Sequence, residues 1–464
     1  MSPSTGRDRL VALYRRLPAP GRDLVAGAQG LRLRAWRYGP GADALTAAVL
    51  ERDRWTEDRW RSWLAERQAA VLAHAAVAVP HHRRWFTAHP DRDPVELGDW
   101  PVTTKDAVRA DPAALVADDA PRWRYRDQTS GTSGSPLSIW TSRGDLRAFF
   151  ALHEARTRRW HGVSRHDRWA ILGGQLVVPP GRDRPPYWVH NRGLHQLYLS
   201  THNLTPTTVG EYVTALARFA PTHLVVYPSA AAFLARLALD AGLRMTGPRV
   251  VIANAEPVSA GQRALIEEAF GCPVRETYGM AEMAAGASEC EAGTLHLWPD
   301  CGVVEVVDDA DAPAPEGGSG RFVLTGLTND TTAFVRYANG DRGRAPVWGA
   351  GCACGRALPV LPPVEGRTQD LIATPDGGRQ FWFNPVFYGL PVVEAQLVQE
   401  RVDLVVASVV AGEGYDAAAE ATIASRLRDR LPGVEVRVER ADAIERGPSG
   451  KFRPVVSLVA GDEA

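Results

Sequence analysis

The sequence predicts an α/β protein, with mixed sheets covered by helices in a large N-terminal part and a small α+β part at the C-terminus. Three observations carry this expectation. Between residues 169 and 270 short apolar runs alternate with helical stretches, as in a largely parallel sheet covered on both faces. Over residues 303–328 the pattern changes to paired strands split by a Pro/Gly/Asp-rich stretch at 308–320, which reads as a smaller β-rich subdomain. After a boundary at Gly366-Arg367-Thr368-Gln369-Asp370, roughly 95 residues remain and read as a β-α-β unit large enough to be a domain.

Over residues 43–78, Leu45, Ala48, Leu50, Trp55, Trp60, Trp63, Leu64, Ala70 and Leu72 recur at helical spacing, and Pro80 is expected to end the run. Trp100-Pro101 marks a break, and Thr103-Thr104-Lys105-Asp106 offers an N-cap for a helix running toward Leu115. Residues 137–141 alternate like a strand, and 145–162 read as a long helix closed by glycine. Strands at 169–172, 224–227 and 250–252 then alternate with helices at 209–218, 230–241 and 260–270. Beyond the boundary, 392–410 offers strands, 415–431 a helix and 434–439 another strand.

Composition excludes several classes. Apolar residues make up 45% and charged residues 23% of the 464, ordinary values for a globular protein. A net charge of −1, from 53 Lys and Arg against 54 Asp and Glu, gives no field for a polyanion, so nucleic acid is not expected as the partner. The Arg-rich N-terminus reads as a solvated helix face. No run approaches the roughly 18 apolar residues of a membrane span, and residues 1–16 lack a signal-peptide core. These features predict a cytoplasmic protein with no membrane partner. Five cysteines over this length make no disulfide framework; clustered thiols in a reducing compartment point to metal or reactivity.

The chemistry gathers around Thr129-Ser130-Gly131-Thr132-Ser133-Gly134-Ser135-Pro136, between two expected strands. Its glycines let the backbone turn, and five hydroxyl residues allow N–H and O–H donors to converge on one phosphate. Composition alone also allows a solvated turn. The loop lacks the G-x-x-x-x-G-K-[ST] pattern of a Walker loop, and Gly131-Thr132-Ser133-Gly134 lacks the G-x-S-x-G elbow of a serine hydrolase. Further along, Glu276-Thr277-Tyr278-Gly279-Met280-Ala281-Glu282 puts an aromatic ring and a carboxylate near one Gly turn, suited to stacking on a base and holding Mg²⁺. Asp341, in a Gly-bracketed turn, can accept both hydroxyls of a ribose, and Lys451 lies on the Pro448-Ser449-Gly450-Lys451 turn.

In this order the motifs resemble the adenylate-forming superfamily, and within it the phenylacetate-CoA ligase family. Pro101-Val102-Thr103-Thr104-Lys105 resembles that family's early P-x-x-T-K stretch, and Ala255-Glu256-Pro257 its adenine-side segment. The resemblance implies a large domain over 1–367 that binds ATP and acid, and a small mobile one over 368–464 carrying the catalytic Lys451. It also implies a two-step ligase reaction through an acyl-adenylate, with release of AMP. Thr132 and Glu282 would join Lys451 in catalysis. Thr129, Ser130, Gly131, Thr132, Ser133, Gly134, Glu256, Pro257, Tyr278, Gly279, Met280, Asp341 and Arg367 would bind ATP, with Mg²⁺ at Glu282. The hinge is expected at 368–370, where Gln369 stands in place of the usual Asp or Lys. Residues 373–385 depart from the R-G-x-N-V-F-P-like stretch of the ligases, which resembles a divergent branch associated with capsule and secondary-metabolite clusters.

The substrate is expected to be a carboxylic acid, aromatic in kind, with CoA, a carrier-protein thiol or an amine as acceptor. The acid pocket would involve Gly173, Gly174, Tyr227, Ser229 and Ala255. Two alternatives stay open: an adenylyltransferase placing AMP on a hydroxyl, and an inactive binding relative. A homodimer is also left open. Cys290, His296, Cys352 and Cys354 suit a closed tetrahedral Zn²⁺ site of structural type, with Cys301 as a substitute ligand and free thiols as the alternative. Cys272 reads as core, and His153 as a core or capping histidine.

Overall fold

The computed structural model describes residues 13–128, 137–245, 247–314, 318–367, 371–376, 379–380, 383–387, 390–446 and 452–459. The chain divides into two compact units, one of Met1–Ala42, Thr157–Glu276 and Arg446–Phe452, the other of Asp43–Arg156, Thr277–Glu445 and Arg453–Ala464. The Ser/Gly loop at 129–136, the hinge residues 368–370 and Lys451 lie outside the described residues.

The first unit is built on parallel strands. Trp169–Gly173 pairs with Gln196–Ser200 on one side and His223–Val226 on the other; His223–Val226 pairs with Val250–Ala253, and that strand with the start of Val274–Gly279. Every residue of Val250–Ala253 is buried, which is why the run is continuously apolar rather than alternating. Helices Val209–Phe219, Pro228–Asp240 and Ala260–Phe270 make the crossovers. The last is bounded as its sequence dictates, by a Ser259–Gln262 capping box and by Gly271 in the left-handed region at φ 65°.

Trp188–Asn191 runs antiparallel at the edge, so the sheet is mixed, as the sequence leads one to expect. One feature of this unit differs from expectation. The Arg-rich helix Ala19–Arg37 is docked along one face rather than fully solvated: a Cβ on Gly30 would meet Asn191 Oδ1, and one on Gly193 would meet the Leu31 backbone at 2.4 Å. Glycine at both positions permits that close approach.

The second unit starts with helices Ala42–Arg52, Glu57–Ala78 and Pro80–Ala88. Pro80 begins a helix instead of only ending one, because the first helical position needs no N–H donor. Tyr125–Gln128 and Ser138–Thr141 form an antiparallel pair flanking the Ser/Gly stretch in sequence. The following helix starts earlier than expected, at Arg143, under a Ser142–Asp145 capping box, and turns to π geometry over Glu154–Arg158. The β-rich region is an antiparallel sheet in the order Gly302–Val307, Ser319–Gly326, Tyr337–Arg344, Gly366–Arg367.

Toward the C-terminus, Val392–Arg401 and Leu404–Ala411 form a hairpin. Glu435–Arg440 adds in parallel to Leu404–Ala411 after helix Ala417–Arg430, and Val455–Ser457 adds in parallel to Val392–Arg401. Leu397, Val405, Val409, Ile423 and Leu427 form the core of this β-α-β arrangement. No helix among the described residues is long and apolar enough to cross a membrane.

The π turn delivers Arg156 into the core of the second unit, fully buried. Its Nε donates to Asp53 Oδ1 at 2.9 Å and its Nη2 to Asp300 Oδ2 at 3.2 Å, while Arg52 Nε donates to Asp300 Oδ2 at 2.9 Å. Burial alone disfavours the Asp300 charge, but Arg156 and Arg52 outweigh it and hold the carboxyl below the ordinary range. Removing the guanidinium leaves two buried carboxylates without their main partner. Arg156→Ala is expected to cost about 3 kcal/mol or more, read as a lower midpoint of thermal unfolding. Arg61→Ala, which breaks an exposed i,i+4 pair with Glu57, should cost about 0.5 kcal/mol or less in the same scan.

Candidate active site

In the first unit the sequence-predicted residues collect where parallel strands end, the usual place for a ligand in an open α/β sheet. Gly173 closes Trp169–Gly173, Tyr227 follows His223–Val226, and Ala255 and Glu256 follow Val250–Ala253. The Tyr227 N–H donates to Leu172 O at 3.0 Å, and its hydroxyl lies by the Gly174 backbone. Burial, and then the nearby Glu256 carboxylate, push the Tyr227 phenol above its ordinary range. Ala255 takes the left-handed φ of 67°, uncommon for a residue with a Cβ and a mark of a backbone held by its surroundings. Glu256 Oε2 accepts the Ser229 N–H at 3.0 Å, so Gly174, Tyr227, Ser229, Ala255 and Glu256 are near neighbours.

Tyr198 lies beside Gly173 and is a neighbour of this group that sequence reasoning missed. Its hydroxyl accepts the Gln175 N–H at 3.3 Å and lies 3.0 Å from where a Cβ on Gly173 would stand, so glycine there makes room for the phenol. Its only sequence signal is its place in the apolar run 196–200.

In the second unit one strand organises the site. Tyr337–Arg344 buries alternate residues, so Tyr337, Asn339 and Asp341 share a face. That face meets the turn after Val274–Gly279. Asp341 Oδ2 accepts from the Tyr278 hydroxyl at 2.8 Å and from Asn339 Nδ2 at 2.6 Å, and Asn339 Nδ2 also reaches the Tyr278 hydroxyl at 2.9 Å. The Tyr278 ring stands edge-on to Phe322 at 6.3 Å, while the Met280 sulfur lies 3.8 Å from Asn339 Nδ2. Across the sheet Asp341 is paired directly with Arg367.

Glu282, 6% exposed, accepts the Tyr337 hydroxyl on Oε1 at 2.9 Å. A carboxylate engaged by one donor keeps lone pairs for a hard cation such as Mg²⁺. Burial and the adjacent Glu282 carboxylate push the Tyr337 phenol far up, so it stays a donor. Tyr337 and Asn339 were not among the expected site residues. The Tyr-x-Asn-x-Asp alternation was the available signal, since a two-residue period puts all three on the face that carries Asp341.

Cys290, His296, Cys352 and Cys354 bring their ligand atoms within 4.8 Å of one another. The Cys290–Cys352 sulfur separation is 3.7 Å, and Cys354 Sγ lies 3.4 Å from His296 Nε2. Tetrahedral Zn²⁺ bonds would put such atoms about 3.8 and 3.6 Å apart, so the set fits the ion. His296 Nδ1 is 3.2 Å from Leu358 O, the outer hydrogen bond that fixes an imidazole with Nε2 toward a metal. Partial burial opposes ionisation of Cys352, yet the Thr294 hydroxyl and the Cys354 N–H bring it down to about 6.

Cys301 does not substitute in this group. It is fully buried and donates to Met283 O at 3.7 Å. Cys272 is core, its thiol pushed up to about 12 by burial and then by Glu267. His153, half-buried, packs edge-on against Trp298 at 4.9 Å.

The Tyr337 contact can be tested by stability alone. Tyr337→Phe removes the donor to a buried carboxylate oxygen while keeping the ring, and is expected to cost about 1–3 kcal/mol, seen as a lower thermal midpoint.

Residues 46–329 match the AMP-binding enzyme family. The chain is 25% identical over 377 residues to Protein CapK of Staphylococcus aureus, covering 77% of this chain and 80% of that one. It is 26% identical over 333 residues to the phenylacetate-coenzyme A ligase of Thermus thermophilus, covering 68% and 72%. Among solved structures, 2-hydroxyisobutyryl-CoA ligase in its postadenylation state superimposes with a TM-score of 0.66 at 23% identity, over 88% of this chain and 91% of that one, which gives the fold. The matched span covers more than half of the sequence and takes in the strand ends, Tyr278 and Glu282, and the chain, whose motifs resemble the adenylate-forming phenylacetate-CoA ligases, therefore belongs to the AMP-binding enzyme family.

Proposed function

We propose that the protein activates an aromatic carboxylic acid with ATP, releasing pyrophosphate, and passes the acyl group from the adenylate to CoA or another thiol or amine. The observation that carries the reading is the Tyr278–Asn339–Asp341 cluster beside the Glu282–Tyr337 pair. A carboxylate fixed by a phenol and an amide is suited to a ribose diol, and a flat ring beside it to a base. Glu282 is suited to hold Mg²⁺, which offsets phosphate charge when bound.

The carboxylate oxygen of the acid attacks the α-phosphorus, and pyrophosphate leaves with the electrons of the bond that breaks. Negative charge grows on the phosphoryl oxygens during this step. Hydroxyl and N–H donors of residues 129–134, with Thr132 among them, and the ammonium of Lys451 would offset it. The acid would lie near Gly173, Gly174, Tyr198, Tyr227 and Ser229, where two phenol rings and two glycines suit a planar group. The relative named as a phenylacetate-coenzyme A ligase supports CoA as acceptor, and the departure at 373–385 resembles a divergent branch associated with secondary-metabolite clusters. Domains over 1–367 and 368–464 would let Lys451 serve the first step and withdraw for the second.

The test is pyrophosphate release from ATP and Mg²⁺ across aryl and alkyl acids, without and with CoA. Release that needs an aryl acid, quickens with CoA and falls at least about 100-fold in Lys451→Ala is the expected result. AMP retained on a product hydroxyl would contradict it.

The Cys290, His296, Cys352 and Cys354 set would hold a structural Zn²⁺, closing 290–296 against 352–354. Elemental analysis should give one zinc per chain. Its removal by a strong chelator should lower the thermal midpoint without abolishing pyrophosphate release in the protein that remains folded. A metal-free chain of unchanged stability would overturn the assignment.

A further inference from the structure

In the first unit one carboxylate ties together two stretches far apart in sequence. Glu256, 7% exposed, accepts the Ser229 N–H on Oε2 at 3.0 Å and the Phe452 N–H on Oε1 at 2.6 Å. Ser229 lies in the first turn of helix Pro228–Asp240, where N–H groups lack intrahelical acceptors and the helix dipole favours an anion. That end of the helix therefore anchors the carboxylate by itself. The second oxygen takes a donor from a distant stretch of the chain.

What it holds is the peptide bond joining Lys451 to Phe452, since the Phe452 N–H is part of that bond. A backbone donor makes the contact independent of the side chain at 452. The guanidinium of Arg446 also lies over the Phe452 ring at 5.1 Å, a second contact within the same short segment. A charge-assisted bond of this kind is strong enough to bias a segment, and on release water replaces the lost donor, so it is also reversible.

We propose that Glu256 is a positioning residue which clasps the chain next to Lys451 for adenylation and lets it go for acyl transfer. The kinetic part of this rests on the ligase reading; the clasp itself does not. Glu256→Gln is the sharpest variant, because an amide offers one oxygen where two N–H groups each need an acceptor.

Two measurements on the full chain test it. Hydrogen exchange without substrates, in peptides covering Phe452, should quicken about tenfold in Glu256→Gln, with the peptides of strand Val250–Ala253 unchanged. In the same variant acid-dependent pyrophosphate release should fall about tenfold in kcat with little change in the KM for the acid, while transfer from a pre-formed acyl-adenylate to CoA keeps its rate.

Phe452→Pro, which removes the donor, should match Glu256→Gln, and Phe452→Tyr, which keeps both the donor and the ring beneath Arg446, should match the parent. Unchanged exchange at Phe452, or equal loss in both half-reactions, would overturn the proposal. If the parent releases no pyrophosphate with any acid, the ligase reading fails, and the exchange result still decides the clasp.

Discussion

The site in the second unit depends on the two-residue repeat of a single strand. Tyr337, Asn339 and Asp341 face the Tyr278 turn together because successive side chains of a strand point to opposite faces. A slip of one residue would present Ala338, Gly340 and Arg342 instead, and every polar contact of the site would vanish. The register is fixed from several sides. Thr103 donates to Arg336 O at 2.8 Å and accepts from the Ala338 N–H at 3.0 Å, so the P-x-x-T-K stretch runs beside the strand. Gly343 has no Cβ where one would stand 2.7 Å from the Phe322 ring.

The first unit reaches its candidate site by a different rule. Parallel strands end on one side, and the turns that follow them converge. Tyr227, Ala255 and Glu256 are neighbours for that reason, although the sequence separates Tyr227 from Glu256 by a whole helix and strand. Ala255 shows what the convergence demands, since its left-handed backbone turns the chain immediately after a fully buried strand. The buried Arg156 cluster follows the same logic in the second unit. A helix that changes to π geometry brings a guanidinium to two carboxylates from elsewhere in the chain, and burying one without the others would be costly.

Much of this was legible in the residues, and the gaps have physical causes. Helix Ala260–Phe270 was readable to the residue because both ends carry their own signals, Ser259 and Gly271. Pro80 does end the run before it, and what the pattern left out is that proline also suits the first position of the next helix. Trp188–Asn191 carries no period of its own and is a strand only by pairing with Gln196–Ser200, so no local pattern could reveal it. Tyr278, Glu282 and Asp341 stood out as motif residues, whereas Tyr337 and Tyr198 did not, because a buried tyrosine reads as core until its hydroxyl is seen on a partner. Cys301 reads in the sequence as a substitute ligand, and the fold points it at Met283 O instead.

The central claim is that the protein forms an acyl-adenylate reversibly. Isotope exchange between labelled pyrophosphate and ATP measures that step alone, before any acceptor is engaged. Label entering ATP only when a carboxylic acid is present, and lost in Asp341→Ala, is the result the account predicts. Exchange that proceeds without acid, or that requires a hydroxyl compound in its place, would contradict it.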